Sequence, residues 1–482
     1  MSRRAHLAIA WLLAAALVAG IGCASSPKSK SAAKKRTVLM TEYDDARVGR
    51  ESAQDVKAEI GVLDDPALAS YVSEIGNKLL RGVPRRGFDY QFYVVDMVEP
   101  NAFALPGGYI FVSRGLLALV NNEDELACVI GHEITHAARR HAAASQAIQE
   151  SLPPLLLPGA AAKFASYGRE MEREADEGGQ ILCAAAGYDP IGMSTFLTSL
   201  AMSSRLELGY TRNPTFFDTH PSSEERASAN AVRAREIRWQ RDAAIGDPRA
   251  AVLRHIAGLE LGPRPESGIF QGDRFVHPTL GFTIRFPSGW RQSNSNRAVG
   301  AVQPHGEAVV FLSADVPPGE VGQVAQQWLE RQEMPLDVED SRPVKVSGID
   351  AWRVDASAMS RGGPVRAQLT FIPFRDATWR ITGAAPAVVA KRHEAALLAT
   401  ARSFRRVTPE ETSGIQVTRL QVEMARAGEG LAEVSKRSHN VWSINDTAVY
   451  NAVFADHRFA GGELVKVAVR EAYVPRAHQE VP

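Results

Sequence analysis

The chain has 482 residues, 45% of them hydrophobic and 23% charged, with 55 basic residues balancing 55 acidic ones. That length exceeds what one hydrophobic core organises and predicts two to four domains. The even balance excludes the basic footprint of nucleic-acid binders, so no nucleic-acid partner is expected.

Residues 1–22 read as an export signal. Arg3 and Arg4 give a basic start, Leu7 to Ile21 an apolar run, and Gly22-Cys23-Ala24-Ser25-Ser26 a small-residue cleavage site. A Cys directly after the apolar run resembles a bacterial lipoprotein signal. That resemblance implies lipidation of Cys23, membrane attachment through it, and a periplasmic protein anchored at the outer membrane. Gly20 stands where such signals carry an aliphatic residue; the alternatives are a signal cut near Ala24 or an uncleaved anchor. Residues 23–39 are rich in Ser and Lys and read as a flexible tether. No later segment has the roughly 18 uninterrupted apolar residues of a membrane span.

Residues 40–245 read as mainly helical. Helical spacing covers Glu51 to Val62 and Pro66 to Arg81, the second with Leu68, Val72, Ile75 and Leu79 on one face. Tyr90 to Val98 alternates as a strand, Asn101 to Gly108 reads as a turn, and Tyr109 to Ser113 as a second strand. A helix is predicted from about Asp124 to Gln146, capped by Asn121 or Asn122, and another from about Tyr167 to Ala186. Between them Leu152 to Pro158, with three prolines, reads as a gating lid or as a packed apolar loop. Cys128 and Cys183 sit in apolar helical runs and read as buried thiols.

Arg241 to Gly272 reads as a helix followed by a Gly/Pro linker, with the linker set at residues 246–272. Residues 273–408 turn β-rich, with helical runs at Glu320 to Gln332 and Ala385 to Ser403, and predict an α+β domain. Residues 414–471 read as strand, two short helices and strand, a small βααβ module.

The chemistry concentrates in His132-Glu133-Ile-Thr-His136. Four residues turn a helix by about 400°, so the two imidazoles share a face one turn apart, as a single zinc ion requires. Glu133 points about 100° away, placed to reach a water as general base without becoming a ligand. A catalytic zinc needs a third protein ligand, and Glu172-Arg-Glu-Ala-Asp176 on the next helix supplies Glu172. Asp176, one turn on, faces the same way and can fix the tautomer of a ligand histidine. Glu174 carries the same chemistry and is the alternative third ligand, but points elsewhere on the helix. His141, nine residues beyond His132, is expected on the opposite face, in solvent.

These residues resemble metallopeptidase family forty-eight over about residues 40–245. The likeness runs through Asp65-Pro66 to Leu80, Asn101-Ala-Phe-Ala-Leu-Pro-Gly-Gly108, Glu125 to His136 and Arg169 to Asp176. It continues in Gly187-Tyr-Asp-Pro190 and in Thr219-His220-Pro221 with Arg226. The resemblance implies a mainly helical gluzincin domain, one Zn2+ per chain held by His132, His136 and Glu172, and Glu133 as base. It implies that Asn101 to Ser113, with Gly107 and Gly108, forms an edge strand on which substrate lies as an added β-strand. His220 either fills the open zinc position and keeps the enzyme latent or steadies the oxyanion, a role also open to Arg226. The alternative for this pair is a helix N-terminus capped by Ser222 or Ser223, with Arg226 on the surface.

His277 to Trp290 resembles the opening of small α+β domains similar to the photosystem PsbP fold. Residues 414–471 look like a LysM-type module, on Ala427-Gly-Glu-Gly430-Leu431, Asn451 and Gly461-Gly462-Glu-Leu464-Val-Lys-Val467. That likeness implies binding to N-acetylglucosamine polymers, hence peptidoglycan as a partner. The whole reads as an α+β chain. The function expected is zinc-dependent endopeptidase action on extended or misfolded envelope proteins. The alternatives are an envelope chaperone or assembly factor with a latent site, and a peptidoglycan-binding scaffold.

Overall fold

The computed structural model describes residues 41–83, 88–145, 158–206, 220, 224–332, 335–360 and 362–474. The export signal, Cys23, the tether and residues 152–157 lie outside these residues. The described residues divide into two units, one within Ala33–Gly262 and Gln416–Glu471, the other within Pro263–Ile415 and from Ala472 onward.

In the first unit, helix α1 (Glu42–Glu59) is followed by α2 (Pro66–Leu79). Pro66 occupies the first turn of α2, and the Asp65 carboxylate accepts from the Leu68 N–H at 3.0 Å, which sets its start. Its buried stripe of Leu68, Val72, Ile75 and Leu79 is the one the spacing predicted. Three strands follow, β1 (Gln91–Val95), β2 (Ala102–Leu105) and β3 (Tyr109–Ser113), in the order β1-β3-β2. β3 is central, parallel to β1 and antiparallel to β2, and all five of its residues are buried. The edge strand is therefore the short Ala102–Leu105 segment alone, which corrects the expectation of an edge strand reaching Ser113.

Helices α3 (Arg114–Leu119), α4 (Glu123–Ala138), α5 (Pro158–Ala185), α6 (Gly192–Leu206), α7 (Glu224–Glu236) and α8 (Pro248–Ile256) come next. Asn122 caps α4, its Oδ1 accepting from the Glu125 N–H at 2.9 Å. α4 and α5 cross at glycines: a Cβ on Gly131 would sit 3.0 Å from the Gly179 carbonyl oxygen, and one on Gly179 would sit 2.8 Å from the His132 nitrogen. Only hydrogen fits there, and this close crossing brings α5 onto the histidine face of α4. The pair carries Cys128 and Cys183, both buried and free.

Residues 246–272 are not a linker over their first half. Asp247 caps α8, whose Val252, Leu253 and Ile256 are buried in the same core as α2 and α4. Strand β4 (Glu260–Leu261) follows, and the buried Arg114 donates to the carbonyls of Glu260 at 2.8 Å and Gly262 at 2.7 Å.

The second unit contains β5 (Ile269–Gln271), β6 (Arg274–His277), β7 (Phe282–Arg285), β8 (Arg291–Asn294), β9 (Ala298–Val302) and β10 (Val309–Val316). It continues with α9 (Val321–Glu330), β11 (Asp337–Val346), β12 (Ile349–Ser360), β13 (Gly363–Phe374), β14 (Ala377–Pro386), α10 (Ala387–Arg402) and β15 (Arg405–Arg406). Seven strands run in the order β11-β12-β13-β14-β10-β9-β8, and four others in the order β15-β7-β6-β5. Alternation along β13 serves both faces of the larger sheet. Phe371 meets Trp328 of α9, while Ile372 clusters with Leu397 of α10.

This unit carries a pH dependence. Burial, reinforced by Arg375, pushes the His277 imidazole down to about 4, and its Nδ1 accepts from the Leu280 N–H at 3.3 Å, which only the neutral ring can do. An unfolded chain titrates this group near 6.5, so it binds the extra proton between the two values. The stabilisation is thus whole above about pH 6.5 and is lost as pH falls toward 4, by up to about 3 kcal/mol. Protection of the β6 and β7 amides against hydrogen exchange, taken relative to the intrinsic rate at each pH, should fall across that window in the full chain, and less so in His277→Phe. Equal loss of protection in both proteins would refute the account.

The chain then re-enters the first unit. Strand β16 (Gln416–Met424), helices α11 (Leu431–Ser438) and α12 (Ile444–Asn451) and strand β17 (Leu464–Ala472) have the expected βααβ order. They do not stand apart. The sheet order is β17-β16-β4, with Thr418 opposite Leu261 and Arg419 opposite Glu260. Leu420 belongs to the core of α2, α4 and α8, and Val422, Val449, Tyr450 and Leu464 pack against it. Lys466 is fully buried, and its Nζ donates to the carbonyls of Ala118, Leu119 and Val120 at 2.9, 3.0 and 2.8 Å. It satisfies the open C-terminal end of α3, just ahead of α4. Arg249 of α8 donates to the Leu464 carbonyl at 2.8 Å and to Asn451 Oδ1 at 3.0 Å, tightening the same seam.

Candidate metal centre

The crossing of α4 and α5 assembles the predicted cluster. His132 is wholly buried and His136 nearly so, one turn apart on α4, and Glu172 of α5 faces both. His132 Nε2 lies 3.0 Å from His136 Nε2, and Glu172 oxygens lie 3.5 Å from each of these nitrogens. His220 joins them, its Nδ1 3.3 Å from His132 Nε2 and 3.0 Å from Glu172 Oε1. Four donor residues thus present atoms all within 4.8 Å of one another.

These spacings test the fit of a metal. Donors bound tetrahedrally at about 2.0–2.1 Å from one zinc ion lie about 3.3–3.4 Å apart, and the cluster spans 3.0 to 3.5 Å over the pairs just given. The donor chemistry, three imidazoles and a carboxylate, is also that of zinc. The residues fit one zinc ion.

The surrounding charges hold the cluster in place. Asp176 Oδ1 lies 3.1 Å from His132 Nδ1, the nitrogen turned away from the cluster, in the supporting position its spacing predicted. Arg226 of α7 is buried, not on the surface. It donates to Asp176 from Nε at 2.9 Å and from Nη2 at 2.6 Å, and its Nη1 lies 3.0 Å from Glu172 Oε2. Its guanidinium therefore clamps two carboxylates of α5. Burial pushes the Glu172 carboxyl up, but hydrogen bonds with His132 and His220 outweigh it and hold the group well below the carboxylate range. Burial opposes charge on His132, yet Asp176 and Glu172 together raise its imidazole to about 9. Burial alone dominates at Glu133, raising its carboxyl, and at His136, lowering its imidazole.

Glu133 is fully buried, with Oε1 3.5 Å from His220 Nε2. It lines a cleft of about 430 Å³ together with His136, Glu172 and His220, and the edge-strand residues Phe103, Ala104 and Leu105. Asn101, Gly107 and Gly108 are buried instead. Asn101 is locked to β3, its N–H donating to Ser113 Oγ at 2.8 Å. Gly107 turns with φ 76°, and a Cβ there would meet the Asp45 carbonyl oxygen of α1 at 2.8 Å. These three residues shape the strand, and Phe103, Ala104, Leu105 and Pro106 between them line the cleft.

The expectation for His141 fails. α4 ends at Ala138, and Arg140 takes a left-handed φ of 55° with its guanidinium on the Asp45 carboxylate. The chain reverses, and His141 returns to His136, where the two Nδ1 atoms are 2.8 Å apart. His141 is only 6% exposed. The Arg-Arg pair that marks the reversal carries no turn signal in sequence, since neither residue favours positive φ.

Residues 66–167 and 159–234 match Peptidase family M48. The chain is 29% identical over 226 residues to the beta-barrel assembly-enhancing protease of Yersinia pestis, covering 42% of this chain and 46% of that protein. It is 29% identical over 201 residues to the mitochondrial metalloendopeptidase OMA1 of Schizosaccharomyces pombe, covering 37% and 58%. It spans about half the length of these curated relatives. Among solved structures, cyanobacterial PsbP from Synechocystis sp. PCC 6803 aligns with 30% of this chain and 99% of its own, at TM-score 0.24 and 10% identity. The match at residues 66–234 takes in His132, His136, Glu172 and His220, so the stretch that carries the donor cluster is the stretch similar to peptidase family M48.

Proposed function

We propose that this protein is a zinc-dependent endopeptidase of the bacterial envelope, hydrolysing peptide bonds in unfolded or misassembled envelope proteins. The observation that carries the reading is the donor cluster beside buried Glu133, in a cleft bordered by the edge strand β2. His132, His136 and Glu172 would hold one zinc ion, which would supply Lewis acidity toward a peptide carbonyl and a water. Glu133 accepts the water proton and returns it to the leaving amine. β2 offers backbone groups to an extended chain, which demands an unfolded segment and little sequence. The names of the Yersinia relative and its kin favour envelope substrates, and the export signal read at residues 1–22 favours the periplasm, with Cys23 as outer-membrane anchor. Peptidoglycan binding by the βααβ segment belongs to the same reading, and co-sedimentation of the full chain with peptidoglycan tests it.

A second feature favours a latent enzyme. His220 is a fourth donor in the cluster, and if it holds the metal it would keep a substrate carbonyl away, so His220→Ala should raise cleavage of casein by the zinc-loaded full chain severalfold. A chelator should abolish that cleavage, and zinc should restore it. A His220→Ala protein cutting no faster than its parent removes the latch, and cleavage indifferent to chelator removes the metallopeptidase.

A further inference from the structure

His136 differs from His132 in what stands behind it. His132 has the Asp176 carboxylate against its outward nitrogen at 3.1 Å. Behind His136 there is no carboxylate in direct reach of Nδ1 among the described residues; His141 is there instead, Nδ1 to Nδ1 at 2.8 Å with the rings perpendicular at 82°. The far nitrogen of His141, Nε2, lies 3.4 Å from Glu174 Oε2. Glu174 is half-exposed on α5, two residues from Glu172, and takes no place in the donor cluster.

We infer that His141 and Glu174 are a positioning pair for His136, a relay that fixes the orientation and tautomer of this metal ligand from outside the cluster. The inference rests on the reading of His136 as a zinc ligand through Nε2. With Nε2 given to the metal, the ring proton of His136 resides on Nδ1 and can only be donated outward. His141 Nδ1 accepts it, which places the His141 proton on Nε2, facing Glu174. Each atom in the chain then has one role, and reversing any of them opposes two donors or two acceptors. The scaffold supports the same arrangement: the left-handed turn at Arg140, clamped by Asp45, is what returns His141 to this point. The two ligand histidines are thus supported by different means, one by a carboxylate at first hand and one through an imidazole.

Zinc affinity of the full chain, measured by competition with a chromophoric chelator, tests the pair without reference to catalysis. His141→Phe should weaken zinc binding by about 10–100-fold, the loss usual for such outer partners. His141→Gln, whose amide oxygen can accept from His136, should recover part of it. Glu174→Gln, at a half-exposed position that tolerates change, should weaken binding in the same direction by less. Nitrogen-15 NMR of the zinc-loaded chain should find His141 protonated on Nε2. A folded His141→Phe with parental affinity overturns the inference, as does an Nδ1-protonated His141. Should His141→Phe not fold, Glu174→Gln and the tautomer decide. If the parent cleaves no substrate while the affinities fall as stated, the peptidase reading fails and the positioning pair stands.

Discussion

Glu133→Gln should lower hydrolysis of an unfolded substrate by about 10²–10⁴-fold, the range for removal of a general base. Zinc content should stay at that of the parent, because Glu133 is outside the set of four donors. The two readings separate a chemical role from a metal-binding one. Glu133 is wholly buried, and burial raises its carboxyl; the amide is nearly the same shape and removes only the ability to take a proton. Stability should therefore hold or rise slightly, as measured by thermal unfolding of the apo-protein. Equal cleavage by parent and variant would sink the base assignment. Loss of zinc in the variant would move Glu133 into the ligand set.

The second large effect lies far from the cleft in sequence. Lys466→Met should destabilise the unit by about 3–5 kcal/mol, the cost of stripping one member from a buried charged network. Three carbonyls at the end of α3 lose their donor, and each buried acceptor left without a partner costs about 1–3 kcal/mol. Burial pushes the Lys466 ammonium strongly down, Arg249 adds to that, and Glu125 at the start of α4 opposes both. Glu125 in turn loses a cation in the variant. Urea unfolding followed by far-ultraviolet circular dichroism measures the shift. Removal of residues 416–482 should go further and yield a protein that is insoluble or digested, because the core around Leu420 and α8 is then open to water. A soluble, zinc-binding truncation would show the βααβ segment to be an independent module after all.

How much of this was legible beforehand follows from the range of the interactions involved. His132, His136 and Glu133 were placed by helical periodicity on α4, while Glu172, with Asp176 one turn on, rested on spacing together with the family resemblance. The burial of Arg226 was left open, since its partners Glu172 and Asp176 sit on another helix and nothing on α7 names them. His141 was misplaced because the predicted helix ran through to Gln146. The break depends on Asp45, 95 residues upstream, holding Arg140 in a conformation its side chain disfavours. The supposed linker at 246–272 failed for the same kind of reason. Val252, Leu253 and Ile256 gave a short apolar stripe, and the strand that pairs with β4 appears only at Gln416. In the second unit a β-rich stretch and the two helical runs at α9 and α10 were legible, because periodicity is a local property. The number of strands and their order in the sheet were not.

Lys466 meets its three carbonyls across 346 to 348 residues of chain. A ribosome adding about 5–20 residues per second finishes α3 to α5 long before β17 exists. During that interval the first unit lacks its closing strand, and strands β5 to β15 of the second unit emerge before β16 and β17. Contacts so distant along the chain also form slowly. The last hydrogen bonds at the C-terminal end of α3 are thereby timed to the end of synthesis.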